Sequence, residues 1–189
     1  MAMIDDFKAS LLGGGARANQ FRVTITEPVG IGIGLDLSRT SFLVRSAALP
    51  ASTLGEIAVP FRGRSIYLAG DRADPDTWDT TFLNDTDFMV RNAMERWHNG
   101  INDYIENTGV NFPADYTAEL TVQQRDRDDT ILKTYTFHHC WPTSISAIEL
   151  ASDANDAIEE FTVTWRFQHF STSDVGQGQG AAARLSIRV

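Results

Sequence analysis

One long stretch of the chain, residues 87–105, has a helical period of apolar positions. From Val90 onward its apolar side chains recur at spacings of four and three residues, which puts them on one side of an α-helix. They are Phe88, Val90, Met94, Trp97, Ile101 and Tyr104. Asn84, Asp85 or Thr86 can cap the first amides, and Gly109 can end the helix. We expect four of these residues to anchor the helix in the core, namely Phe88, Met94, Trp97 and Ile101.

Most of the remaining chain alternates apolar and polar residues with period two, which is typical of half-buried strands. The predicted strands lie at 21–25, 41–48, 57–61, 66–68, 78–82, 116–123, 131–140, 144–150 and 159–170. Pro142 is expected to end the strand before it. Charged or Asp/Asn-rich turns at 125–129 and 153–156 separate later strands. The pattern predicts a mainly β fold, an antiparallel β-sandwich or barrel with one flanking α-helix, spanning residues 1–170.

Residues from about 45 to 72 are predicted to form a long β-hairpin that protrudes from this domain. Two strand-like pieces there are bounded by prolines and glycines, including Pro50, Pro60 and Gly63. A two-stranded hairpin has too little core to be stable alone. The hairpin therefore needs another surface to pack on, and a second subunit is the obvious candidate.

Three glycine-rich segments are predicted to be irregular. Residues 1–15 end in three glycines and are interpreted as a flexible N-terminal arm, either loose or ordered against a neighbouring copy. Residues 29–34 are expected to be a mobile loop, because no helix and no Lys-Ser/Thr pair follow to make a phosphate cradle. Residues 171–189 form a glycine-rich C-terminal tail, either disordered or adding a strand to a sheet edge.

Composition limits the functional classes. The 189 residues carry a formal net charge of −9, which argues against binding nucleic acid by neutralising phosphates. Cys140 is the single cysteine, so an intrachain disulfide is impossible. No apolar run approaches the about 20 residues of a membrane span, and no signal-type core is present at the N-terminus. We expect synthesis in a reducing cytoplasm.

No catalytic, cofactor or metal site is predicted. His138, His139 and Cys140 resemble metal ligands, but on a strand only His138 and Cys140 could converge, and no second cysteine completes a thiolate site. The Asp/Asn cluster at 153–156 lacks the glycine and closing glutamate of a calcium loop. The two smooth polar strand faces at 117–123 and 160–168 are more distinctive, since an acidic channel wall would repel duplex DNA.

Five ordered segments together resemble the tail tube proteins of contractile-tailed, T-even-like bacteriophages. These segments are 14–23 (GGARANQFRV), 42–72 (beginning FLVRSAALPAS), 84–102 (NDTDFMVRNAMERWHNGIN), 141–150 (WPTSISAIEL) and 156–170 (DAIEEFTVTWRFQHF). The resemblance implies that six copies form a ring whose sheets join into one β-barrel around a lumen. Rings then stack into a tube inside a contractile sheath in the virion.

The resemblance also implies partners and site residues. The expected partners are the tail sheath, baseplate and tail terminator proteins, while the tape measure protein and genomic DNA pass through the lumen without specific binding. The hairpin contacts between subunits are assigned to Leu49, Pro50, Pro60, Phe61, Arg62, Arg64, Asp71 and Arg72. For the two central arginines, ordinary solvated charge is the alternative. The lumen-facing candidates are Glu119, Thr121, Glu160, Thr162 and Thr164.

Several other functions remain open at this level. The chain could be the tube protein of a contractile injection or type VI secretion-like system, or a tube-initiating baseplate protein. A ligand-binding β-sandwich could use Trp78, Trp141 or Trp165, although alternation places Trp165 inward. A hydrolase would have to use His138 or His139.

Overall fold

The computed structural model describes residues 2–10, 15–73 and 77–173, and these residues form two sheets in the body, a separate two-stranded hairpin and four helices. The helices are α1 (Ala2–Ser10), α2 (Leu37–Leu43), α3 (Met89–Ile101) and α4 (Pro113–Tyr116). The strands are β1 (Phe21–Ile25), β2 (Val44–Ala47), β3 (Leu54–Phe61), β4 (Arg64–Arg72), β5 (Trp78–Leu83), β6 (Ala118–Arg125), β7 (Ile131–Ile145), β8 (Glu160–Arg166) and β9 (His169–Thr172). The mainly β, antiparallel fold predicted from the sequence is confirmed.

The body of the domain consists of two antiparallel sheets that share strand β7. The first sheet has the order β1-β6-β7-β9 and uses residues 131–140 of β7. The second sheet has the order β2-β5-β8-β7 and uses residues 141–145 of β7. The hairpin β3–β4 is a separate two-stranded sheet.

Aromatic side chains from both sheets meet in one core. Trp78 of the second sheet stacks on Phe137 of the first, with ring centroids 4.5 Å apart. Trp165 is fully buried and donates to the Thr80 hydroxyl at 2.8 Å, so its one polar atom is satisfied. Phe161, Val163, Trp165 and Phe167 all face inward, as the alternation predicted.

A β-bulge bends β7 from one sheet into the other. Ala118 pairs with Cys140 and Leu120 with Phe137, so His138 and His139 together oppose one residue of β6. His139 adopts a φ of 55°, and such a bulge bends the strand. The prediction that Pro142 ends the strand is wrong, since the chain continues to Ile145. Pro142 fits because it lies beside a register shift on an edge of the second sheet.

Helix α3 is shorter than its periodicity predicted. It begins at Met89 and ends at Ile101, and Met94 and Trp97 are fully buried. Ile101 is partly buried against the core. The prediction that Phe88 is a buried anchor is wrong. Phe88 is 41% exposed, because the chain enters the helix there through a left-handed turn with φ 53°.

None of the three predicted capping side chains caps α3. No side chain of the preceding residue bonds to the helix amides, and the amide of Met89 instead donates to the Asp87 carboxylate at 3.2 Å. The helix also ends at Ile101, eight residues before Gly109. The chain leaves it through Asn102, which has an extended backbone conformation.

Two other segments differ from expectation. Residues 29–34 are not a mobile loop, because Ile31 and Ile33 of this segment, and Leu35 directly after it, are buried in the core. The predicted strand 41–48 is instead the end of α2 followed by β2. Asp36 caps α2 by accepting from the amides of Ser38 and Arg39 at 3.0 and 3.1 Å, which satisfies amides that the helix leaves free.

The ends of the chain are only partly described. Residues 2–10 form α1, and its described apolar side chains Met3, Ile4 and Phe7 are exposed. The predicted glycine joint at 13–15 falls mostly, and the tail from 174 onward entirely, outside the described residues. Among those described, no helix has the length and apolarity needed to cross a membrane.

Candidate assembly surfaces

The hairpin β3–β4 presents an uncovered apolar face. Its register pairs Ile57 with Leu68 and Val59 with Ile66, so these four side chains share one face with Phe61. All five are exposed. The hairpin spans 54–72, whereas residues 45–47, predicted to belong to it, lie in β2 of the second sheet. A contiguous exposed apolar face on a protruding hairpin is characteristic of an interaction surface.

A tight turn closes the hairpin. Phe61 pairs with Arg64, leaving Arg62 and Gly63 as the two loop residues, with φ angles of 48° and 80°. Two residues at positive φ make the turn that best matches strand twist, and glycine or asparagine is favoured at both positions. An arginine at the first position therefore carries a conformational cost. Its guanidinium lies 5.3 Å from the centroid of the Phe61 ring.

The other residues assigned to subunit contacts lie around the base of the hairpin. Leu49 is exposed and Pro50 partly exposed in the connection from β2 to β3. Asp71 and Arg72 end β4, and the Arg72 guanidinium donates to the Ser52 hydroxyl at 2.6 Å. Pro60 pairs with Ser65, next to the turn. The structure therefore gathers the predicted contact residues on the hairpin and its base.

The second sheet has an open edge on each side. Strand β2 pairs only with β5, and residues 141–145 pair only with β8. Among the described residues, each of these edges lacks a second strand. Unpaired edges are templates for another chain.

Side chains of α3 bond to some of the backbone carbonyl groups along the 141–145 edge and just beyond it. The Arg91 guanidinium donates to the Ser146 carbonyl at 2.6 Å, and His98 Nε2 lies 3.1 Å from the Pro142 carbonyl oxygen. Burial lowers the pKa of His98 below its ordinary value, so the neutral ring is favoured there. An open groove between α3 and this edge is lined by Arg91, Glu95, Thr143, Ser144 and Ile145 among others.

The predicted lumen residues lie on two different surfaces. Glu160, Thr162 and Thr164 project from the outer face of the second sheet, whereas Glu119 and Thr121 belong to the outer face of the first. The two sheets bury their apolar faces against each other, so their polar faces point in opposite directions. A single lumen can be lined by only one of these sets.

The polar face of the second sheet is rich in hydroxyl groups and has balanced charge. Thr81 and Thr162 are cross-strand partners whose hydroxyls lie 3.2 Å apart. Arg45 forms a salt bridge with Glu160. Asp79 and Arg166 add one charge of each sign to this face.

The polar face of the first sheet carries a histidine cluster. His138 Nδ1 lies 2.9 Å from a Glu119 carboxylate oxygen and its Nε2 3.0 Å from the Ser171 hydroxyl, while its ring stacks on His169. Cys140 does not converge with His138 as alternation suggested. The bulge turns it into the core, where burial raises its pKa to about 12. Within the described part of the chain, no group of His, Cys, Asp or Glu has the arrangement of a metal site.

The tryptophans offer no exposed binding platform. Trp78 and Trp165 are buried, and Trp141 is partly buried with its ring against Tyr116. Each of the two buried indoles donates its N–H within the protein, Trp78 to the Ala48 carbonyl and Trp165 to Thr80. The ligand-binding β-sandwich alternative therefore loses its candidate residues.

The fold is one found in contractile injection machines. The chain superposes on a protein in the sheath–tube complex of an extracellular contractile injection system with a TM-score of 0.59, at 14% identity, covering 88% of this chain and 97% of that one. A protein in the baseplate of the anti-feeding prophage gives a TM-score of 0.60, at 14% identity, covering 86% and 97%.

Sequence comparison identifies the family within this group of contractile-machine proteins. The phage tail tube protein family matches residues 16–173, and the chain belongs to that family. The tail tube protein of Serratia phage KSP90 is 31% identical over 170 residues, covering 88% of this chain and 95% of the relative. The tail tube protein of Enterobacteria phage T4 is 32% identical over 164 residues, covering 85% and 94%.

Sequence reasoning did not find every surface that the structure assembles. It missed the 141–145 edge, because a proline at 142 predicts a strand end. It also missed the hollow formed by the connection between β7 and β8. The signal present there was the pair of apolar residues Leu150 and Ile158 in an otherwise polar, turn-rich connection.

Proposed function

We propose that this chain is a structural virion protein that builds the inner tube of a contractile phage tail. Six copies form a ring, and stacked rings form a conduit through which DNA is ejected into the host. The observation that carries the proposal is the second sheet, a four-stranded sheet with an open edge on each side. In this role the chain has no catalytic activity.

Ring closure follows from the two open edges. When β2 of one copy lies against residues 141–145 of the next, both edges gain a partner and the sheets continue around the ring. Six copies with four strands each would make a closed barrel of twenty-four strands. Closure is the arrangement that removes sheet edges altogether. The groove beside α3 gives the incoming strand a place to lie.

The second sheet would then line the lumen. Its polar face carries Glu160, Thr162 and Thr164, and its short hydroxyl side chains and balanced charges offer DNA few fixed cationic contacts. Few phosphate contacts mean weak binding, which suits a conduit. Glu119 and Thr121, assigned to the lumen from sequence, belong instead to the outward surface that faces the sheath.

The remaining partners follow from the position of the tube. The sheath protein surrounds the first sheet, and baseplate and terminator proteins contact the two ends of the stack. The tape measure protein and genomic DNA occupy the lumen. A tube of an extracellular injection system would use the same surfaces, but those structures share 14% identity with this chain, against 31–32% for phage tail tube proteins.

Negative-stain electron microscopy of the purified protein tests this function. Samples span a concentration series, each with and without polyethylene glycol as a crowding agent to assist nucleation. We expect hollow rings with sixfold class averages and, at higher concentration, tubes of uniform width. Dispersed monomers or irregular aggregates in every sample would refute the proposal.

A further inference from the structure

The hairpin and the β7–β8 connection lie at opposite ends of the second sheet. The hairpin joins the sheet at Ala47 and Trp78, and Trp78 pairs with Trp165 near the end of β8. The connection 146–159 joins Ile145 to Glu160, and Glu160 pairs with Leu83 at the other end of β5. Rings stacked head to tail bring one end of each copy against the opposite end of the next.

The connection 146–159 folds around an open hollow of about 720 Å³. Its lining is mostly small or apolar, with Leu150 80% exposed and Ile158 67% exposed. The same connection carries the exposed carboxylates of Glu149, Asp153 and Asp156, and within the described residues none of these three forms a salt bridge. Glu149 belongs to the lining of the hollow, and Asp153 and Asp156 lie on the same connection, so the surface around exposed Leu150 and Ile158 is negatively charged.

The hairpin tip has the complementary chemistry. Phe61 is exposed, and neither Arg62 in the turn nor Arg64 next to it has a carboxylate partner among the residues that the structure describes. Arg62 occupies a left-handed position where glycine or asparagine would be favoured. The conformational cost of an arginine at this position points to a contact made by its side chain. The eight residues of β3 extend about 26 Å, which carries the tip well away from its base.

We propose that the hairpin tip of one copy docks into the 146–159 hollow of a copy in the adjacent ring. Phe61 packs against Leu150 and Ile158, and the two arginines pair with the carboxylates of the connection. This contact would fix the order of stacking, because the basic tip and the acidic hollow lie at opposite ends of every copy. The inference rests on the proposed function, since it concerns contacts between rings.

Charge reversal on each side, followed by reversal of both, tests the pairing. The tip variant is Arg62→Glu with Arg64→Glu, and the hollow variant is Glu149→Lys with Asp153→Lys. We expect each variant to form rings, with the critical concentration for tube growth raised about tenfold or more. Combining all four substitutions should restore tubes. The control variant is Arg17→Glu with Arg127→Glu, at exposed sites outside the contact. It changes the net charge by the same amount as the tip variant and should leave tube growth unchanged.

Five outcomes decide between the inference, its alternatives and the proposed function. Tubes from both reversed variants at the wild-type concentration, or no recovery in the combined variant, would overturn it. Folded variants that lose rings as well as tubes would place the contact within a ring, which overturns this inference and leaves the proposed function intact. Wild-type protein without rings would refute the proposed function itself. Growth lost in each reversed variant and regained in the combined one supports the contact.

Cross-linking provides a second, independent measurement. Arg62→Cys with Asp153→Cys introduces one thiol on each side of the contact, while the native Cys140 is buried. Oxidation of the assembled protein should give a covalent ladder that continues beyond six copies, because links between rings are not closed by the ring. A ladder that ends at the hexamer, or monomers alone, would overturn the inference. Arg127→Cys with Asp153→Cys serves as the matched control.

Discussion

Replacing Trp97 with alanine should remove the largest single contribution of α3 to the core. Its side chain is fully buried, its ring packs edge-on against Trp165 at 5.5 Å, and its Nε1 donates to the Tyr116 carbonyl at 2.8 Å. Truncation of a buried tryptophan to alanine costs about 3–5 kcal/mol, and the orphaned carbonyl adds to this. We therefore expect Trp97→Ala to lower the free energy of unfolding by about 4–5 kcal/mol. Trp97→Phe keeps most of the ring contacts and should cost about 2 kcal/mol.

Urea denaturation followed by circular dichroism, at concentrations below assembly, measures these differences. Tyr104→Ala is the control, because Tyr104 is 88% exposed and its loss should change stability by less than about 0.5 kcal/mol. The denaturant slope should stay constant so that midpoints report stability. A Trp97→Ala loss below about 1.5 kcal/mol, or one equal to that of Trp97→Phe, would refute the packing described for α3.

Three further predictions concern other parts of the chain. Cys140 should not react with a thiol reagent in the native protein and should react fully in urea, because burial raises its pKa to about 12; rapid native reaction would contradict this. His98 has a folded pKa below its ordinary 6.5, so the unfolded chain binds more protons and stability should fall as pH drops below that value. Thermal melts of wild type and His98→Gln check this, and equal slopes with pH would refute it. Replacing residues 60–64 with a short Gly/Ser turn should leave a folded monomer that cannot form long tubes, and tubes of wild-type length would contradict that.

Much of the fold follows from local periodicity. The alternation in β8 placed Phe161 and Trp165 inward correctly, and the spacing of three and four found α3. The hairpin was predictable because Pro60 interrupts one of its strands, and glycines and Pro50 separate it from the neighbouring strands. These features depend on residues close in sequence, which is why a pattern along the chain reveals them.

The errors occur where distant parts of the chain decide the local structure. A single extra residue at His139 reverses the alternation that assigned His138 and Cys140 to one face. Residues 29–35 are rich in glycine, yet their isoleucines are buried, and the Arg96 guanidinium of α3 donates to the Ile33 carbonyl at 2.8 Å. Gly100 allows residues 29–35 to pack closely on α3, because a Cβ at position 100 would lie 2.6 Å from an Ile31 methyl carbon. The lumen-facing residues were harder still to predict from sequence. Alternation identifies a polar face of a sheet but does not say which surface of the assembly that face belongs to.

The shared strand β7 has a mechanical consequence. Its fifteen residues belong to both sheets, so the two layers are joined by an unbroken covalent backbone in addition to side-chain packing. A shear load applied to the first sheet is therefore transmitted along β7 into the second as tension in the chain. In the proposed tube, where the first sheet would face the sheath and the second the lumen, β7 would tie the loaded outer surface to the wall of the conduit.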